Sequence, residues 1–207
     1  MVMTCTPSRL TINVATQAAR QLVEAMSPAA ERISIAGSVR RSRDTFVSDI
    51  EIVIAPTRSH DLFGDEAEPK NLLAVLGTIL DDGLLVDQPW YKQRCRGEKY
   101  KTYGVDRSLT RGCGIDLDLF VVTTDTYGLQ LALRTGPLSF SRRLVTQRCE
   151  GGLLPDGYKV RGGVAWFGRA EDQRGNPINF GTPKTFADER EFITWCCGRW
   201  IDPMDRE

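Results

Sequence analysis

The sequence predicts an α+β fold. Short apolar or alternating runs suited to strands occur at 33–36, 49–55 and 114–122, and apolar residues recur at helical spacing over 12–26 and 72–80. Gly and Pro are dense from Gly151 to Pro183, which predicts short strands and turns there.

In chain order, Ile12, Ala15, Ala19, Leu22, Val23 and Met26 share one helical stripe, and Pro28 lies just past its end. Ile33 to Ala36 is a strand stopped by Gly37-Ser38, and Asp49 to Ala55 is a second strand, rich in β-branched residues and stopped by Pro56. A short, very basic connection joins them. Residues 57–69 form an exposed loop containing the only histidine, His60, to which no role is assigned. Leu72 to Leu80 is a helix, and the basic, aromatic stretch Tyr91 to Val105 alternates as a strand pair or an exposed hairpin would. Gly114 to Val122 is the clearest strand. Thr126 to Leu133 is a short helix, Gly136-Pro137 breaks it, Phe140 to Cys149 opens another element, and Thr185 or Asp188 caps a last helix ending at Cys197. The division is expected at 134/135, giving domains 1–134 and 135–207.

At 207 residues, 41% apolar and 26% charged, the chain has the size of one globular domain or a fused pair of small ones. Lys+Arg and Asp+Glu each number 27, which excludes a uniformly basic nucleic-acid binder, so any DNA contact must come from local patches. The six cysteines, at 5, 95, 113, 149, 196 and 197, form no C-x-x-C pair, so neither a zinc site nor a disulfide framework is expected. There is no leader-like N-terminus and no apolar run near the roughly 20 residues that span a bilayer. A soluble, intracellular, monomeric protein with no membrane partner is expected.

Asp49 and Glu51 are two apart in a strand, so they share a face while Ile50, Ile52 and Ile54 take the other. Asp116 and Asp118 repeat the pattern between Ile115, Leu117 and Leu119. A half-exposed strand alternates apolar and charged residues without any function. Here, however, Gly37-Ser38 opens a connection holding Arg40, Arg41 and Arg43, groups suited to an anion, about one strand away. Clustered carboxylates call for a hard cation. Phosphate on one side and a divalent metal on the other describe a nucleoside triphosphate with its Mg²⁺.

Gly37-Ser38-Val39-Arg40-Arg41 followed by Ser48-Asp49-Ile50-Glu51-Ile52 resembles the signature of the polymerase-beta-like nucleotidyltransferase superfamily, and in particular the X-family DNA polymerases. Asp125-Thr126-Tyr127, Thr135-Gly136 and Phe140 match that family's later motifs at similar offsets, and the likeness spans about residues 12 to 207. Its layout is most similar to the smallest viral members, which suggests a virus or phage source. The resemblance implies a palm, built on a small mixed sheet with helices on one face, followed by a small α+β nucleotide-binding subdomain. It implies that Asp49, Glu51 and Asp118 bind two Mg²⁺ ions, with Mn²⁺ as a substitute, and that Asp118 takes the primer hydroxyl proton. Gly37, Ser38, Arg40, Arg41, Thr135 and Gly136 would bind the dNTP. The implied function is gap-filling, repair-type DNA synthesis on a primer/template. The alternatives are an untemplated nucleotidyltransferase acting on a 3′ end, a small molecule or a protein hydroxyl, and a non-catalytic nucleotide- or nucleic-acid-binding module.

Three departures from the family stand out: Glu51 in place of the usual Asp, Asp116 in place of a basic residue, and Leu133-Arg134 in place of Tyr-Phe. Only 36 residues precede Gly37, so the lyase activity of larger relatives is not expected. Seven basic residues against two acidic ones lie between Trp90 and Arg111, and six against two between Arg142 and Arg169. Lys99, Lys101, Arg142 and Arg143 are the candidate DNA contacts, with Trp90, Tyr91, Tyr100 and Tyr103 as stacking rings.

Overall fold

The computed structural model describes residues 9–57, 70–168 and 183–207. His60, Cys5 and Arg169 lie outside them. The fold is mixed α and β, and the chain forms two compact units, Met1–Val122 and Thr123–Glu207. The division comes after the 114–122 strand rather than at 134/135, because the helix that follows packs inside the second unit.

The first unit runs β1 (Leu10–Thr11), α1 (Ile12–Met26), β2 (Ala30–Ile35), α2 (Gly37–Arg41), β3 (Phe46–Val47), β4 (Asp49–Pro56), α3 (Lys70–Asp81), β5 (Leu85–Val86), β6 (Tyr100–Val105) and β7 (Ile115–Val121). Its five-stranded sheet has the order β2-β4-β7-β6-β5. β4 and β7 are parallel, and the other neighbours are antiparallel. A parallel pair needs a long crossover, and the segment carrying α3, β5 and β6 provides it. β1 and β3 pair separately.

Alternation along β4 and β7 decides which face is buried. Ile50, Ile52, Ile54, Ile115, Leu117 and Leu119 join one core with Ala15, Ala19, Leu22 and Met26 of α1 and Leu76 and Ile79 of α3. Alanines at 15, 18 and 19, all fully buried, let α1 lie close on the sheet. Each large aliphatic side chain buried this way contributes about 1.5–3 kcal/mol.

The stretch expected as a strand pair or exposed hairpin is one interior strand with only a short return pairing. β6 lies between β7 and β5, while residues 87–95 cross the opposite sheet face as irregular chain that turns back into β6 through an antiparallel bridge from Arg96 to Lys101. Thr102 ties that chain down: its hydroxyl accepts the N–H of Cys95 (2.8 Å) and donates to the carbonyl of Gln93 (2.9 Å).

The second unit runs α4 (Tyr127–Thr135), α5 (Leu138–Val145), β8 (Tyr158–Arg161), β9 (Val164–Phe167) and α6 (Glu189–Cys197). β8 and β9 form a hairpin that turns at Gly162-Gly163, both at positive φ (60° and 85°), the conformation glycine adopts without steric cost. Leu129, Ala132, Phe140, Leu144, Phe186, Phe192, Ile193 and Cys196 are among the residues of its own core. Asp188 is the cap of α6, accepting the N–H of Glu191 at 3.0 Å. Among the described residues the cysteines are free, and no helix is long and apolar enough to cross a membrane.

Candidate active site

The register of β4 on β7 sets Asp49 opposite Asp116 and Glu51 opposite Asp118. In a parallel pair, opposed residues point the same way, so four acidic side chains share one patch of the sheet face that α1 leaves open. Asp116, Asp49 and Asp118 have partners that no spacing rule anticipates.

Asp116 is 1% exposed and is held by the chain crossing above it. Its Oδ1 accepts the N–H of Trp90 (2.6 Å), and its Oδ2 accepts those of Tyr91 (3.0 Å) and Lys92 (2.9 Å). Three donors converging on one carboxylate make this a structural clamp. Glycine lets the chain come so close: a Cβ on Gly104 would lie 2.9 Å from the Gln88 carbonyl oxygen and from Trp90 Nε1. The indole N–H donates to the Val105 carbonyl (2.9 Å), and the Arg107 guanidinium lies 4.2 Å from the indole ring centre.

The clamp aims Lys92. Its Nζ donates to Asp49 Oδ2 at 2.7 Å and to Asp118 Oδ2 at 2.5 Å, bridging the two carboxylates. Burial works against the ammonium charge, yet the hydrogen bonds to Asp118 and Asp49 outweigh it and hold the pKa above the ordinary lysine value. The other oxygen of Asp118, Oδ1, accepts the Tyr100 hydroxyl (2.8 Å), whose ring stacks on Phe120 at 5.2 Å. Burial, followed by the bond to Asp118, raises the Tyr100 pKa, so the phenol stays a donor.

Glu51 meets the Gly37 turn. Gly37 has φ +62°, and a Cβ there would lie 1.8 Å from Glu51 Oε2. The N–H of Ala36 donates to the Glu51 carbonyl at 2.8 Å. The turn carrying Ser38, Arg40 and Arg41 is thereby fixed next to the carboxylates, with Ser38 and Arg40 half-buried. Arg41 has an ion-pair contact with Asp44 at 3.7 Å.

Thr135, Gly136, Arg142 and Arg143 belong to the second unit. Thr135 is fully buried at the end of α4. Ser141 Oγ spans the break after it, donating to the carbonyls of Leu133 (2.7 Å) and Gly136 (3.3 Å). Arg142 and Arg143 are exposed on α5.

Much of the first basic patch is engaged internally. Lys101 is 7% exposed and donates to the Gly97 carbonyl at 2.8 Å, so its ammonium is turned inward, whereas Lys99 is exposed. Arg94 and Arg96 both bond Asp87 (2.9 and 2.8 Å), and Arg96 also lies over the Tyr103 ring, which is in the core. Trp90, Tyr100 and Tyr103, expected as stacking rings, pack within the unit. In the second patch Arg148 donates to the Cys196 carbonyl (2.9 Å) at the end of α6.

Among the described residues, no three His, Cys, Asp or Glu side chains are arranged as a group that could hold a metal ion. The ammonium of Lys92 sits between Asp49 and Asp118, and Glu51 lies against Gly37. Asp49, Glu51 and Asp118 all offer carboxylate oxygen, the donor type that hard divalent cations take, and in this arrangement an ammonium bridges two of them. Lys92 was legible only as one charge in a basic run: its partners lie 43 and 26 residues away. Comparison with protein-family models and with curated proteins gave no match.

Proposed function

We propose that this protein is a nucleotidyltransferase that adds a nucleotide from a dNTP to a primer 3′-hydroxyl, acting as a small template-directed DNA polymerase of the gap-filling type. The observation that supports this most is the β4–β7 register, which brings Asp49, Glu51 and Asp118 to one patch with the Gly37-Ser38 turn against Glu51. The resemblance of these same residues to the X-family signature gives them their roles.

In this reading Asp49, Glu51 and Asp118 hold two Mg²⁺ ions. The ions supply Lewis-acid stabilisation of the charge on the transferring phosphoryl group and favour ionisation of the attacking hydroxyl. The primer 3′-oxygen bonds to the α-phosphorus, the bond from that phosphorus to the bridging oxygen breaks, and pyrophosphate leaves. The hydroxyl proton passes to Asp118. Ser38, Arg40 and Arg41 neutralise the β- and γ-phosphates as the leaving group gains charge. Arg142, Arg143 and Lys99 contact DNA phosphates.

Primer extension on a gapped duplex, with Mg²⁺ or Mn²⁺, tests the proposal. Template-matched incorporation is expected. Incorporation on a single-stranded oligonucleotide regardless of sequence would point instead to the untemplated transferase. No transfer to any hydroxyl acceptor by folded, metal-supplied protein would falsify both.

A further inference from the structure

Lys92 is the group in the site that neither the acidic pattern nor the resemblance assigns. It forms the only charge-assisted bridge between Asp49 and Asp118 among the described residues, and it arrives from a stretch whose backbone the buried Asp116 holds through the N–H groups of Trp90, Tyr91 and Lys92 itself. The stretch is clamped by its backbone, while the side chain, a stem of four methylenes, is 32% exposed and held only at its ammonium.

We propose that Lys92 is a built-in counter-cation that occupies the divalent-metal position between Asp49 and Asp118, and that metal binding requires its ammonium to swing out. Oxygen ligands of Mg²⁺ lie at about 2.1 Å. An ion placed between the two oxygens that hold Lys92 at 2.7 and 2.5 Å would stand against the ammonium, and the two positive charges would repel. In the metal-free protein Lys92 offsets one of the three negative charges of Asp49, Glu51 and Asp118 and so limits their mutual repulsion. Metal therefore competes with an intramolecular cation whose backbone cannot drift away, and its affinity is set by that competition. This inference rests on the reading of the three carboxylates as metal ligands.

Mn²⁺ titration followed by the electron paramagnetic resonance of the free ion tests it, without nucleotide or DNA. Lys92→Gln is expected to bind Mn²⁺ about tenfold more tightly than the wild type, the size of effect expected when hydrogen bonds to charged groups are removed. Its metal-free form is expected to melt at a lower temperature, with a larger rise on adding Mn²⁺. If Lys92→Gln binds no more tightly than the wild type, the inference is overturned while the metal site stands. If neither protein binds Mn²⁺, the metal reading falls as well. Should Lys92→Gln not fold without metal, the wild type labelled with ¹³Cε-lysine answers the same question. The Lys92 signal, assigned by its loss in Lys92→Arg, should move to the position of free lysines as Mg²⁺ saturates the site; a signal that stays in place with Mg²⁺ bound overturns the inference.

Discussion

The carboxylate of Asp116 accepts the backbone N–H of Lys92 at 2.9 Å, while the ammonium of that same lysine reaches Asp49 and Asp118. One aspartate thus anchors the chain from which two others are bridged. Asp116 and Asp118, two residues apart on one strand, should therefore respond oppositely to mutation. Asp116→Ala leaves three buried N–H donors unmet and should cost about 3 kcal/mol or more in urea unfolding. Asp116→Asn, with one carbonyl oxygen left to accept, should cost less. Asp118→Asn should cost less stability than Asp116→Ala but lower nucleotide transfer by about 10²-fold or more, read by single-turnover primer extension.

Gly37 is confined both by its backbone and by its neighbour. Gly37→Ala places a methyl at positive φ and onto the Glu51 carboxylate, so it should destabilise by about 1–3 kcal/mol and also depress nucleotide transfer. Gly83 has φ +70° with nothing within 4 Å, and Gly83→Ala isolates the backbone effect. It should cost about 1 kcal/mol and leave the transfer rate unchanged. Equal losses of transfer in the two variants would count against a role for the Gly37 turn.

In the second unit the Arg206 guanidinium, 0% exposed, donates to Glu189 Oε1 at 2.8 Å. Removing one partner strands a buried charge. Glu189→Gln or Arg206→Met should each cost about 3–5 kcal/mol. Asp87→Asn, which breaks the exposed pairs with Arg94 and Arg96, should cost only about 0.2–1 kcal/mol for each of these surface pairs. Chemical denaturation midpoints separate the two cases.

Burial, with a smaller contribution from Cys197, pushes the Cys196 thiol from 9.0 up to about 12. A group whose pKa is raised on folding stabilises fully below its unfolded pKa, and that contribution is lost as pH rises through the folded value. Stability should therefore fall between about pH 9 and pH 12 more steeply in the wild type than in Cys196→Ala. At pH 8 the Cys196 thiol should resist a disulfide reagent that labels exposed Cys149.

The helix at 12–26, the strand at 49–56 and the strand at 115–121 follow from periodicity, because a buried face forces apolar residues into register with the backbone repeat. The cap of the last helix was legible as Thr185 or Asp188, and the structure gives it to Asp188, whose side chain accepts an N–H that the helix cannot satisfy. The Tyr91–Val105 stretch was not. Its alternation of aromatic and basic residues looks like surface, but β6 is interior: the ring of Tyr103 and the stem of Lys101 are buried, the Lys101 ammonium bonds the Gly97 carbonyl, and Arg96 is paired with Asp87. Basic residues counted along the chain overstate the charge shown to solvent whenever such pairing occurs.

The even balance of 27 basic and 27 acidic residues, the α+β pattern and the two acidic doublets were all present in the sequence by itself. The period of a strand is a local property, so it put Asp49 with Glu51 and Asp116 with Asp118. Which doublet faces which, and what lies between them, is not local. Only the parallel pairing of β4 and β7 set Glu51 beside Asp118, and only the chain folded across that face turned Asp116 into a clamp and brought Lys92 between Asp49 and Asp118. Those contacts join residues 24 to 67 positions apart, and long-range contacts of that kind are chosen by the burial of the whole sheet rather than by any neighbour in sequence.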